Sequence, residues 1–310
     1  MEVQGIDLNA LGAHEVACPY PPEVKGRMAH LDGDFIAYQC SYDDSLSFDT
    51  MANKARTAIT HLRRMCGAEF VRLHLTANSS TKGGRYDAAM LKEYQATRKR
   101  EKPAQLENMR RFMRDHFGAV YWTDQEADDG MAQANALAHQ YGKPELSVIY
   151  SKDKDLSMVL GWRLNPDTFD LEYIDRPGSL RLTEGKTKKL VGTGPAFFWA
   201  QMLMGDQADN IGGLPAIYGM SDYKDGMKCG PVAAYSLLED RVTEYDMLDT
   251  VARLYKNYGD AVGFKNWRDG SPLTWKQAFW SEATLLWMRR KKAARDVQHY
   301  IFEVRHGTTY

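Results

Sequence analysis

Short apolar runs recur along this chain, and several of them stop at carboxylates. Residues 28–31 are too few for a helix and read as a buried strand that ends at Asp32-Gly33-Asp34. Ala55, Ile59, Leu62 and Met65 recur at helical spacing, which predicts a helix over 52–65. Residues 71–75 alternate and then stop in the polar run 76–80, a strand running into a loop. Segment 82–102 is basic and poor in apolar residues, and Pro103 can open the next helix, through Phe112. Val120-Tyr121-Trp122 reads as a strand, Asp124 as the cap of a helix over 126–141, and 146–150 as the next strand.

Strands alternating with helices predict an α/β fold with a largely parallel central sheet and flanking helices. Functional groups in such sheets collect at the carboxyl ends of the strands. Asp32, Asn78, Asp153 and the start of the helix at 126 fall there. Beyond residue 160, 163–164 and 171–174 predict antiparallel strands, and a helix over 195–204 carries the chain to Gly205-Asp206. From residue 211 the pattern is mostly helical, interrupted by Gly212-Gly213, Gly219, Gly226 and Gly230. The polar, Pro-rich opening reads as an arm over 1–26, followed by an α/β core over 27–205 and a helical region over 206–310.

Composition narrows this only a little. A hydrophobic share of 44% and a charged share of 26% are globular values. Lys+Arg 40 against Asp+Glu 41 excludes a uniformly basic coat, yet leaves room for a local basic strip beside an acidic site. Cys18, Cys40, Cys66 and Cys229 form no CxxC pair, which argues against a zinc site or a disulfide framework and fits a reducing compartment. With no signal segment and no run of membrane-spanning length, the expectation is a soluble cytoplasmic protein with no membrane partner.

The carboxylates are the informative chemistry. Glu126, Asp128 and Asp129 crowd one helix start, where Glu126 and Asp129 share a face and Asp128 points to an adjacent one. An acidic first turn suiting the helix dipole is the plainer explanation of that cluster alone. Asp153 and Asp155 leave the apolar run 148–150, and Asp206 and Asp209 precede Asn210-Ile211-Gly212-Gly213-Leu214-Pro215. Adjacent glycines there allow a backbone to approach a phosphate or a cation. Carboxylates gathered at buried ends repel one another unless cations sit between them, and hard divalent ions take such oxygen ligands. Room for two ions points to phosphoryl or phosphodiester chemistry.

In their order along 28–238, these four motifs resemble those of the flap endonuclease / 5′-nuclease family, most nearly bacteriophage 5′→3′ exonucleases. The resemblance implies a PIN-like nuclease core holding two Mg²⁺ or Mn²⁺ ions. Asp32, Glu126 and Asp128 would form one ligand group, and Asp129, Asp153, Asp155, Asp206 and Asp209 the other. It implies phosphodiester hydrolysis from 5′ ends, nicks or flaps of double-stranded DNA, extending to RNA–DNA hybrids, in phage DNA replication or recombination. It also implies a helical arch over about 79–102. Lys82, Arg85, Tyr94 and Arg100 would contact the strand there, and Arg98, Lys92 and Lys99 would act at the scissile phosphate, with Tyr86 or Tyr94 stacking on a base. A helix–hairpin–helix-like element with Gly212, Gly213, Gly219 and Gly230 would hold the duplex, around K⁺, with 220–228 as an insertion.

Two positions depart from the family pattern. Asn78 stands where the family carries an Asp, which weakens the first ion's site. Gln95 stands where an arch lysine is usual, so Lys92, Lys99 or Lys82 would have to supply the ammonium. Two other readings stay open: a haloacid-dehalogenase-type phosphatase using Asp32 and Asp34, and a degenerate nuclease that only binds DNA. The basic run Arg289-Arg290-Lys291-Lys292 with Arg295 reads as a solvated helical face. Trp267, Trp275, Trp280 and Trp287 read as core.

Overall fold

A computed structural model of the chain describes residues 20–97, 101–293 and 295–307, together with two short paired strands, β1 (Glu2–Val3) and β2 (Ile6–Asp7). The central sheet starts with β3 (Val24–Asp32), whose last four residues are all buried. Asp32 then caps α1 (Gly33–Cys40) by accepting the Phe35 N–H at 2.9 Å. After α2 (Phe48–Met65), β4 (Ala68–Thr76) lies parallel to β3, with Asp32 opposite His74. The short helix α3 (Arg85–Ala88) and α4 (Leu106–Phe117) precede β5 (Val120–Trp122) and α5 (Ala127–Gln140). Then follow β6 (Ser147–Tyr150), β7 (Gly161–Leu164) and β8 (Leu171–Ile174).

The order across the sheet is β5-β4-β3-β6-β7-β8. All neighbours are parallel except β7 and β8. The carboxyl ends of β3, β4, β5 and β6 therefore open on one rim.

Strand alternation divides the buried side chains between two cores. In β6, Val148 and Tyr150 join Leu31, Leu73, Ile36, Ile59, Met109 and Met113 under α1, α2 and α4. Ile149 faces the other way, against Met131 and Ala132 of α5 and Leu156. That second core continues through α6 (Gly194–Met204), which follows the hairpin β9 (Ser179–Leu182) and β10 (Leu190–Thr193). Residues 194–203 are buried on every side, as expected of a helix apolar all round.

The same core takes in α7 (Pro231–Leu238), α8 (Glu244–Ala261), α9 (Trp275–Leu286) and α10 (Asp296–His306). A small hairpin, β11 (Phe264–Lys265) with β12 (Pro272–Leu273), precedes α9.

Several expectations change. The cap of α5 is Glu126, not Asp124, because Glu126 and Asp129 form a reciprocal capping box. The carbonyl of Asp124 instead accepts the Gly83 N–H at 3.0 Å. The helix expected from Pro103 starts at Leu106. Arg289 to Lys292 lie between α9 and α10 rather than on a helix, because the chain turns extended at Trp287 and stacks Arg290 on Trp287 and Tyr300. Trp287 is core, but Trp267 is 41% exposed, so it departs from the expected core role.

Candidate active site

At the sheet's carboxyl rim lies a cavity of about 920 Å³, lined by Asp32, Asp34, Glu126, Asp128, Asp153, Asp155 and Asp209. Each carboxylate is positioned by an element end. Asp32 leaves β3, accepting the Phe35 N–H through one oxygen and the Ser151 hydroxyl at 2.8 Å through the other. Asp34, in the first turn of α1, accepts the Thr76 N–H at 2.8 Å. Ser151 leaves β6 and also accepts the Asp153 N–H at 2.9 Å, so one hydroxyl ties the exits of two neighbouring strands. Asp153 caps the single turn 154–158 and accepts the Asp155 N–H. Asp206 is buried just outside the lining and is joined to Asp155 through Lys154, whose ammonium lies 2.7 Å and 3.1 Å from their carboxylates.

Crowding dominates the electrostatics. Burial, and then the neighbouring Asp34, push the Asp32 carboxyl up to about 7. Burial and then Asp153 push Asp155 up to about 8, although Lys154 pulls the other way. Asp128 is raised well above the usual carboxylate range by burial, then by Asp153 and Asp32, and its Oδ1 is buried with no hydrogen-bond partner among the described residues. Asp206 is the exception: burial pushes it up, but Lys154 outweighs this and holds it low. Hard oxygen donors that repel one another, one of them orphaned, fit divalent cations. Among the described residues no three of them converge closely enough to enclose an ion alone. Mg²⁺, which keeps several waters, suits such a set.

Asp129 does not join this group. It is fully buried and receives both terminal nitrogens of Arg85, at 2.7 and 2.8 Å. Arg85 is correspondingly 2% exposed, bonded to Glu126 and to the carbonyls of Leu285 and Trp287, so it is not the strand contact expected of an arch. Tyr94 is also buried, donating to Glu126 and Asp209, and cannot stack on a base, whereas Tyr86 is 46% exposed at the cavity wall. Up to Thr97 the basic segment is thus folded against the site rather than standing free. Arg98, Lys99 and Arg100 lie outside the described residues.

Gln95 is buried, its N–H bonded to the Asp209 carbonyl, and its side-chain oxygen accepts from the Lys82 ammonium. Lys82 lies 3.5 Å from Glu126, over Tyr86, on a left-handed backbone (φ 48°). Lys92 is elsewhere, its stem alongside Gly212. Asn78 lines the cavity, bonded to Glu107 and Arg110. Arg110, which also pairs with Asp34, is a cavity residue that sequence reasoning missed, since nothing in α4 distinguishes it from Arg111 or Arg114.

The glycine-rich turn after Asp209 is held from α9. The Gly213 N–H donates to Glu282 at 2.6 Å. Gly213 has φ 64°, and a Cβ there would lie 2.3 Å from the Gly205 nitrogen. Gly219 donates its N–H to Asp225 and Gly230 opens α7, so the predicted second hairpin position is separated from the first by 220–228.

Burial pushes Glu282 up to about 7, and its Oε1 is buried without a partner among the described residues. The folded chain therefore holds this proton more tightly than the unfolded chain. The stability tied to it is fully present below the ordinary carboxylate range and is lost as pH rises from about 4.5 to about 7. Glu282→Gln keeps an acceptor for Gly213 and removes the charge. Urea unfolding should show the variant ahead by up to about 3 kcal/mol at pH 8 and level with the parent near pH 4.5. A gap independent of pH would contradict this assignment.

No known family profile and no characterised protein matches the chain by sequence. Among solved structures it resembles the bacteriophage T5 D15 flap endonuclease in a pseudo-enzyme–product complex with DNA and metal ions. That likeness has a TM-score of 0.51 at 16% identity, over 90% of this chain and 92% of the other. A T5 D15 protein co-crystallized with metal ions gives 0.48 at 17% identity, over 90% and 92%. A zinc-bound T5 5′-exonuclease gives 0.48 at 15%, over the same shares. No described helix is long and apolar enough to cross a membrane. With its mostly parallel six-stranded sheet and acidic rim, the chain has the 5′-nuclease fold of the T5 D15 flap endonuclease.

Proposed function

We propose that this chain is a metal-dependent 5′-nuclease that hydrolyses phosphodiesters of DNA from a 5′ end, nick or flap. The observation that carries the reading is the set of carboxylates from β3, α5 and the β6 exit around one cavity, with Asp128 Oδ1 orphaned among them. Asp32, Asp128, Asp153 and Asp155, with Glu126, Asp206 and Asp209 at the margins, would hold Mg²⁺ or Mn²⁺. Bound there, such ions would supply a water of lowered pKa and neutralise charge on the phosphate.

The chain's own residues do the rest. Ser151 holds Asp32 and Asp153 in register. Lys154 neutralises Asp155 and Asp206, so the acidic group can stay assembled without metal. Lys82 presents an ammonium to the cavity beside Glu126, where it can meet negative charge developing on a phosphate. Tyr86, exposed at the cavity wall, is suited to an unpaired base, whereas the Gly213 N–H is already held by Glu282.

A 5′-labelled duplex should release label with Mg²⁺ and not with EDTA. Tight binding without cleavage would overturn the nuclease in favour of a DNA-binding module. The phosphatase reading is disfavoured because it leaves Glu126, Asp128, Asp153 and Asp155 around the same cavity without a role. Lys82→Ala should slow single-turnover cleavage by about 100-fold, the usual loss for one charge-stabilising donor. An unchanged rate would remove Lys82 from the chemistry.

A further inference from the structure

The basic run at 289–292 is not absorbed by the cavity, yet it is locked to it. Arg85 donates to the carbonyls of Leu285 and Trp287, at 3.3 and 2.9 Å. Its partner Asp129 accepts the Arg289 N–H at 3.0 Å. Leu285 and Met288 line the cavity, so Arg289 starts at its rim. From there the Arg289 side chain packs on Gly83, next to Lys82. The Lys292 ammonium lies 5.5 Å above the Trp122 ring. Arg290 is stacked on Trp287, and Lys291 and Lys292 beside it are exposed.

These charges are available. Among the described residues the Arg289 guanidinium bonds only to the Ala293 carbonyl, at 3.4 Å, and meets no carboxylate. Lys292 is 67% exposed and 3.9 Å from Asp124, itself 59% exposed, a pairing of little strength in water.

The helix α9 orders the whole arrangement. Glu282 holds the Gly212-Gly213 turn, Leu285 and Met288 line the cavity, and Arg289 follows. The basic run therefore follows directly on the residues at the end of α9 that line the cavity. A strand with one phosphate in the cavity continues both ways. One continuation runs past Leu285 and Met288 onto Arg289 and Lys292, and the exposed Tyr86 ring that also lines the cavity suits an unpaired strand.

We propose that segment 289–292 carries the single-stranded 5′ extension of the substrate away from the cavity, with Arg289 and Lys292 as its phosphate contacts. This rests on the nuclease reading above. Cations at the cavity rim together with an exposed aromatic such as Tyr86 are what a single strand requires.

The test is fluorescence anisotropy in EDTA, using a duplex with a 5′ single-stranded extension and the same duplex blunt. The double variant Arg289→Gln/Lys292→Gln should bind the extended duplex about tenfold more weakly and the blunt one within about twofold of the parent. Its salt slope on the extended duplex should fall by about 1.4, from two lost single-strand contacts. Equal weakening of both duplexes, or none, would overturn the proposal. A melting temperature unchanged from the parent shows that the variant is folded, and Lys292→Gln alone, at an exposed position, should give a partial loss in the same direction. If the parent cleaves with Mg²⁺ but the extension confers nothing that the variant loses, this inference fails and the nuclease reading stands. Absence of any cleavage by the parent counts against that reading instead.

Discussion

Asp128→Asn should lower Mg²⁺-dependent cleavage by about 1,000-fold or more while making the metal-free protein more stable. Both effects come from one oxygen. Asp128 Oδ1 is buried without a hydrogen-bond donor, and its carboxyl is pushed up by burial and then by Asp153 and Asp32. A raised carboxyl pKa in the folded chain means stability that is present in acid and lost as pH climbs through and above the ordinary carboxylate range. An amide removes that loss. It also removes a negative ligand from the cavity centre. Thermal unfolding with and without Mg²⁺ reads both sides. The parent should gain stability from the ion through binding to the folded state alone, and the variant should gain little. Mg²⁺ stabilisation of equal size in both proteins would place the ions elsewhere.

The second large effect is on folding. Arg85→Met should cost about 3–5 kcal/mol in urea unfolding, because it leaves Asp129 charged and fully buried with its bidentate partner gone. Asp129→Leu alone should cost a similar amount by stranding the guanidinium. Combining Arg85→Met with Asp129→Leu should recover part of the loss, since an apolar pair needs no counter-charge although the Glu126 and Arg289 N–H groups lose their acceptor. Strictly additive losses would mean that the two do not act as a unit. The pair also bonds the Leu285 and Trp287 carbonyls and the Arg289 N–H, so it fastens the last turn of α9 to the cavity wall.

What was legible in the chain follows from sequence distance. The apolar runs at 28–31, 71–75 and 146–150 became β3, β4 and β6, and the acids after them reached one rim, because parallel strands place their exits together. Both signals are local. Arg85 was misleading for the opposite reason: in a basic stretch it looks like a surface contact, and its partner is 44 residues away. The same applies to Tyr94, whose hydroxyl meets Glu126 and Asp209 only in the folded chain. Asp129 looked equivalent to Asp128, yet one helical step separates a buried structural anion from a cavity ligand. The end of α9 before 287 was hidden because its stop signal is the tertiary burial of Trp287 and the stacking of Arg290 on it, not a glycine or proline. Lys154 drew no reading from the sequence, since its second partner, Asp206, lies 52 residues away.

The seating of α5 on the sheet has a consequence for how this chain can vary. Gly130 lies one turn past Glu126, and a Cβ there would come within 2.3 Å of the Trp122 ring. That ring cannot step aside, since it stacks on His74 at 11°, donates to it at 3.1 Å, and is roofed by Lys292. Any side chain at 130 would lift the helix start, carrying Glu126 and Asp128 away from Asp32 and Asp153. Position 130 is thus constrained as tightly as a ligand although it never meets a substrate, and its tolerance is set by a ring on the neighbouring strand.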